Sequence, residues 1–211
     1  MSIATFVASA IDNLNSQRPD VGLALVCSAV DATASRKYPE IQTNNGRYKR
    51  FLKDNMRVIT TYGFPGLVAS EIRIKCDSIP DVKKDSAGHA DFCDILYHII
   101  RCSLVHQCVI DETIAFVHYS HMGDEGNKFH IPNTLVFGLL MAVVLTDCNA
   151  NQRLDRDYRL RLNNEVLDLN DLWGTYAEFA DKDSHKRKSS AQHAQQPRDI
   201  GPQAFGEPRH A

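Results

Sequence analysis

Arg101-Cys-Ser-Leu-Val-His106 sets a guanidinium and an imidazole five residues apart, at the end of the one long stretch that carries both an apolar stripe and a polar cluster. A guanidinium is a planar fork that can hold two non-bridging phosphate oxygens at once. An imidazole with an ordinary pKa of about 6.5 accepts or gives a proton at neutral pH. Together they can bind a phosphodiester and take the proton from a ribose 2′-OH, so a substrate lacking that hydroxyl should not react. Read as a helix with Phe92 at zero and about 100° per residue, Ile95, Leu96, Ile99, Ile100 and Leu104 share a core face. Asp94, His98 and Arg101 fall together at about 180–240°, opposite that face. His106 lies about 140° around from Arg101 on an ideal helix, so the two meet on one substrate only if the helix loosens or a second copy completes the cleft. Asp94 and His98 are the groups placed to orient the pair. The structural alternative is a surface ion pair for Arg101, with His106 capping the carbonyls at the end of its own helix.

The same stretch offers a second chemistry. Asp94, His98, Cys102 and His106 recur at four-residue steps, and neighbouring pairs such as His98 and Cys102 could share a zinc ion. Structural zinc sites draw paired ligands from two separated segments. The remaining ligand types in the chain are Cys93, Cys108 and His89 close by, with His118, His121 and His130 further on. A third chemistry is plain binding. Arg47-Tyr-Lys-Arg-Phe-Leu-Lys53 mixes basic and aromatic groups as a phosphate-tracking surface does, and as a solvated helix face with inward aromatics also does. No Gly-rich phosphate loop, no G-x-S-x-G and no H-E-x-x-H is present, so neither a cofactor nor a resident metal is the leading expectation.

The elements that must position these groups are mostly helical. Residues 2–14 form a short helix, Pro19 breaks the chain, and Asp20 caps a second helix to about Arg36 that is apolar on nearly every side and so belongs inside a bundle. A loop through Pro39 and Thr43-Asn-Asn-Gly46 leads to the basic helix 47–54. The segment 62–80 is ambiguous, broken by Gly63, Pro65 and Gly66, and the polar loop 81–87 precedes the long helix from His89 to about Cys108. The period then shifts to two. Thr113–Tyr119 and Lys128–Ile131 flank a turn-rich Met122–Asn127 as an expected hairpin, and a second hairpin is expected around Asn163-Asn164. Between the hairpins Pro132-Asn133 opens a helix to Cys148, and Asn170 or Asp171 caps a last one carrying Trp173, Tyr176 and Phe179. The fold class expected is mainly α: a helical bundle with one or two small β-hairpin insertions. Residues 1–183 form the domain and 184–211 a disordered basic and polar tail with too little apolar surface to order itself.

Bulk properties narrow the setting. The 211 residues suffice for one sizeable core, and 43% apolar with 24% charged residues is ordinary for a globular protein. The formal charge of −2 conceals an asymmetry: residues 184–211 carry +3 and the rest therefore −5. RNA must then bind through a local cleft, because the field of the body is mildly repulsive. Six cysteines without a CxxC pair suggest reduced thiols and a cytoplasmic protein. The N-terminus lacks the basic region of a secretory signal, and the longest apolar run, 11 residues at Leu135–Leu145, is too short for a bilayer, so no membrane is expected.

With Arg101-x4-His106 near the end of an amphipathic helix inside a helical core, the chain resembles the HEPN (higher eukaryotes and prokaryotes nucleotide-binding) superfamily. The resemblance is carried by Ile95-Leu-Tyr-His-Ile-Ile-Arg-Cys-Ser-Leu-Val-His-Gln107 and extends more weakly over roughly residues 20–150. It implies a HEPN-like helical fold and a homodimer in which the Arg101 and His106 of both copies line one cleft. It also implies metal-independent endoribonuclease activity on RNA, as in RNA-cleaving toxins held by an antitoxin-like partner protein. Other members of that superfamily are non-catalytic helical dimers that bind RNA, nucleotide or protein. Active members commonly carry Asn, Asp or His after the arginine, where this chain has Cys102.

Overall fold

Ser2 begins the first helix by accepting the Thr5 amide on its hydroxyl (3.1 Å), a side-chain cap for one of the four amides that have no partner at a helix start. The computed structural model describes residues 2–79, 82–98, 112–162 and 165–179. Helix α1 (Ile3–Asn15) turns Ile3, Val7, Ala10 and Ile11 inward. It packs on α2 (Pro19–Lys37), whose Leu23, Val26, Cys27, Val30 and Ala34 are buried. Pro19 takes the first helical position of α2, which places Asp20 in the first turn rather than at the cap the sequence suggests. The Thr43 hydroxyl accepts the Gly46 amide at the start of α3 (Asn44–Asp54), and a Cβ on Gly46 would lie 2.7 Å from that hydroxyl.

One residue, Asn55, separates α3 from α4 (Met56–Gly63). The sequence gives little sign of α4, since Val58, Ile59, Thr60 and Thr61 are poor helix formers. Tertiary packing stabilises it instead. α4 lies against α6 (Leu135–Leu145) so closely that a Cβ on Gly138 would come within 2.4 Å of the Ile59 carbonyl oxygen. Thr134 then donates its hydroxyl to the Gly63 carbonyl at 2.7 Å, closing the end of α4. Ten of the eleven residues of α6 are buried, and it also packs on α2. Asn149 ties the two together, donating to the Thr33 hydroxyl (3.0 Å) and the Val143 carbonyl (2.9 Å). α2 is thus the centre of the core, in contact with α1, α3 and α6.

Three small sheets accompany this core. β1 (Arg73–Lys75) pairs antiparallel with β2 (His89–Asp91), so the stretch expected to begin a long helix at His89 is first a strand. Asp85 accepts the amides of Ala87 and His89 (2.9 Å each), and Gly88 adopts a positive φ of 80°, which turns the chain into β2. Helix α5 (Phe92–Ile95) starts only after Asp91, which accepts the Cys93 amide at 2.7 Å. The second sheet corrects the first expected hairpin. β3 (Ile114–Val117) runs parallel to β5 (Lys128–Pro132), and the hairpin partner of β5 is β4 (Gly123–Glu125) around Gly126-Asn127. With the order β3-β5-β4, residues 118–122 cross over the end of β5. The second expected hairpin is present as β6 (Arg159–Leu162) and β7 (Glu165–Asp168). Beyond it, Asn170 does not cap a helix. Its side-chain oxygen accepts the Leu154 amide at 2.8 Å, residues 169–171 form a 3-10 turn, and helical geometry begins at Tyr176.

Among the described residues the architecture is therefore a helical core of six α-helices with seven short strands, a mixed arrangement rather than a plain bundle. Residues 1–176 form one compact unit and 177–211 a second, of which 177–179 are described and helical. Among the described residues no helix is long and apolar enough to cross a membrane.

Candidate functional site

Helix α5 buries Phe92, Cys93 and Ile95, with Leu96 behind them, as the apolar stripe requires. Its opposite face carries Asp94 and, three residues past its end, His98. Lys49, projecting from the basic helix α3, meets Asp94 at 2.6 Å, with both side chains about a quarter exposed (24% and 26%). The same ammonium lies 5.5 Å over the Tyr97 ring. Tyr97 in turn meets Tyr48 edge-on at 5.7 Å and His98 edge-on at 5.4 Å. Asp94 and His98 are thus joined through Lys49 and Tyr97 in one half-buried cluster between α3 and the segment Phe92–His98. Within the Arg47–Lys53 run, the aromatic groups of Tyr48 and Phe51 are turned inward, and Lys49 is the basic group that reaches the cluster.

The geometry of the chain changes directly after α5. Leu96–His98 have π-helical rather than α-helical winding. A π turn closes its hydrogen bonds between residues five apart and is frequent at functional sites. Arg101 and His106, the other two expected site residues, lie outside the described residues, as do Cys102 and Cys108.

A metal reading gains little here. Among the described residues no group of three or more His, Cys, Asp or Glu is placed to hold an ion. Burial pushes the Cys93 thiol far up, and Cys76 is pushed up to about 11 for the same reason, so both stay protonated at neutral pH and are poor ligands. The four described cysteines are all free thiols.

A second polar cluster stands on the β4–β5 hairpin. The Tyr119 hydroxyl donates to Glu125 at 2.9 Å, and His130 Nδ1 lies 3.0 Å from the same carboxylate oxygen and 2.9 Å from the Tyr119 oxygen. A carboxylate can only accept, so the Nδ1 that faces it is a nitrogen bearing a proton. His121 is the third ring of the group, 6.2 Å from His130 and 6.3 Å from Tyr119 between centroids. The Tyr119 hydrogen bond, with His130 and His121 beside it, holds Glu125 below the usual carboxylate range. His118 is not part of the cluster, since its Nδ1 pairs with the Asn133 amide at 3.1 Å. Sequence reasoning picks out the three histidines only as scattered ligand types and misses Glu125 and Tyr119. The available signal is alternation along β5, which puts Lys128 and His130 on one face and the buried Phe129 and Ile131 on the other.

The chain is similar to proteins of mycobacteria. It is 25% identical over 189 residues to "Uncharacterized protein Mb1320" of Mycobacterium bovis, covering 85% of this chain and 86% of that protein. "Uncharacterized protein Rv1289" of Mycobacterium tuberculosis matches with the same identity and coverage. No solved structure matches the chain. The family model Rv1289 matches residues 2–194, a span that takes in the helical core, the Arg101–His106 stretch and the hairpin cluster, and the chain therefore belongs to the Rv1289 family.

Proposed function

We propose that this protein is a HEPN-like, metal-independent endoribonuclease in which Arg101 and His106 work on one phosphodiester at a cleft between two copies of the chain. The observation that carries this reading is the π-helical winding of Leu96–His98, three residues before Arg101. On an ideal α-helix, Arg101 and His106 diverge by about 140°. A π turn departs from that ideal winding, so the chain already leaves α-helical spacing on the described side of the Arg101–His106 stretch. His106 takes the proton of a ribose 2′-OH, the 2′-oxygen bonds to phosphorus, and the bond to the 5′-oxygen breaks as that oxygen takes a proton from water, leaving a 2′,3′-cyclic phosphate and a 5′-OH. Arg101 holds the non-bridging oxygens and stabilises the charge that gathers on them. Asp94 acts on Lys49 and not on substrate, which makes it a positioning residue, and His98 packs on Tyr97 in the same role.

The pairing of Asp94 with Lys49, together with Cys102 next to Arg101, favours one second reading: a non-catalytic helical dimer that binds RNA or a partner protein. Cleavage of mixed-sequence single-stranded RNA in EDTA by wild type, Arg101→Ala and His106→Ala separates the two. Loss of cutting in both variants supports the nuclease. Cutting that survives both substitutions removes this pair from the chemistry, and no cutting by any of the three supports the binder.

A further inference from the structure

The Tyr119, Glu125, His130 and His121 cluster lies on a different element from the Arg101–His106 stretch and has the parts of an acid–base centre. We propose that it hydrolyses ribose 2′,3′-cyclic phosphates, with His130 as general base and His121 as general acid. The choice of substrate rests on the proposed cleavage reaction, whose chemistry leaves a cyclic phosphate that some later hydrolysis must open.

Four observations carry the assignment. First, Glu125 and Tyr119 both approach His130 at Nδ1, which leaves Nε2 as the nitrogen not engaged by them. A carboxylate holding the far nitrogen of a histidine is the arrangement that orients a general base and stabilises its protonated form. Second, the His121 ring centroid lies 6.2 Å from that of His130, which puts two imidazoles within reach of one phosphate group. The rings are nearly perpendicular (89°), which sets the edge of one toward the other. Third, the residues paired with His130 across the sheet are small: Gly123 on β4 and Ala115 on β3, which carry no side chain and one methyl. Fourth, Lys128 lies two residues before His130 on the same strand face and is exposed, which supplies a positive charge for a phosphate anion.

In the reaction, a water oxygen bonds to phosphorus as the bond from phosphorus to the 2′-oxygen breaks. The water proton passes to His130 Nε2, and protonated His121 gives its proton to the departing 2′-oxygen. The product is a 3′-phosphomonoester, and no metal or other reactant is consumed.

The test supplies the cyclic phosphate ready-made, so it does not depend on the first cut. The full-length protein is incubated in EDTA with 2′,3′-cyclic AMP, and the monophosphate is measured. Wild type is expected to turn over, His130→Ala and His121→Ala each to lose at least about 100-fold, and His118→Ala to remain unchanged. Glu125→Gln is expected to lower kcat with little change in KM, as a residue acting through His130 should. His121 is exposed, so His121→Ala still tests the centre even if His130→Ala fails to fold. No turnover by wild type, or turnover that survives His121→Ala, overturns the assignment. Arg101→Ala that stops RNA cutting but still opens the cyclic phosphate shows two separate centres. Loss of both reactions in that variant, with its fold intact, overturns the separate site.

Discussion

Lys49 holds two partners with one ammonium, the Asp94 carboxylate at 2.6 Å and the Tyr97 ring at 5.5 Å. Removing it in Lys49→Ala leaves a half-buried carboxylate without its counter-charge. The expected loss of stability is about 1 kcal/mol, at the upper end for exposed pairs, read as a lower midpoint in urea. RNA cutting is expected to weaken without being abolished, because Lys49 pairs with Asp94 on α5 and is not among the groups proposed to touch the reacting atoms. A midpoint equal to that of wild type would show that the pair contributes nothing. Asp85 gives a pH-dependent case. Hydrogen bonds from the His89 amide and then the Ala87 amide, with Arg73 at 2.9 Å, hold its carboxyl below the usual range. A depressed folded pKa contributes stability above the ordinary carboxylate pKa of about 4, and that contribution fades as pH falls through the folded value. Asp85→Asn is therefore expected to lower the Tm at pH 7, with the deficit shrinking as pH falls below about 4; a deficit that does not change with pH would assign the effect to shape and not charge. At this scale, the sharing of one face by Asp94 and His98 follows from their four-residue spacing. The Lys49 partner does not, because 45 residues separate it from Asp94 and only the packing of α3 on α5 brings them together.

Helices α4 and α6 cross where neither has a side chain, at Gly63 and Gly138. A methyl at Gly138 would press on the Ile59 carbonyl, on Gly63 and on the backbone of α4, none of which can rotate away. Gly138→Ala is expected to cost about 2 kcal/mol or more, since overpacked cores lose about 1–3 kcal/mol. Chemical denaturation checks this, and a variant as stable as wild type would mean that the helices part freely. Most of the helices are legible directly in the sequence. The amphipathic run of α1, the apolar α2 and α6, and the basic α3 all show the period or solid apolarity of buried helices, and Asn163-Asn164 marks the hairpin that joins β6 to β7. Helix α4 is not legible, because its β-branched residues argue against the conformation that packing on α6 imposes. The parallel pairing of β3 with β5 is hidden for another reason: alternation of period two is the same for parallel and antiparallel strands, and only the crossover of residues 118–122 tells them apart. β2 reads as helix because His89-Ala-Asp91 has no strand signature of its own and is held extended by Asp85 and β1.

As a whole, the molecule carries its charge unevenly, −5 over residues 1–183 and +3 over residues 184–211. RNA bound to such a body needs a local positive surface, which Arg101 from two copies would supply together. Light scattering at micromolar concentration is expected to give a mass twice that of the 23.7 kDa chain, and a chain that stays monomeric at all concentrations would leave the cleft incomplete. A core of this size is plain from the composition. The Arg101–His106 spacing is also plain, whereas the π winding just before it depends on three-dimensional packing and leaves no mark in residue type. The most direct test uses a labelled DNA strand containing a single ribonucleotide, incubated in EDTA with wild type, Arg101→Ala and His106→Ala. The protein is predicted to cut once, on the 3′ side of the ribonucleotide, with neither variant cutting and an all-DNA strand left intact. Equal cutting of the all-DNA strand, or cutting that persists without Arg101 or without His106, would contradict an Arg–His centre acting on a ribose 2′-OH.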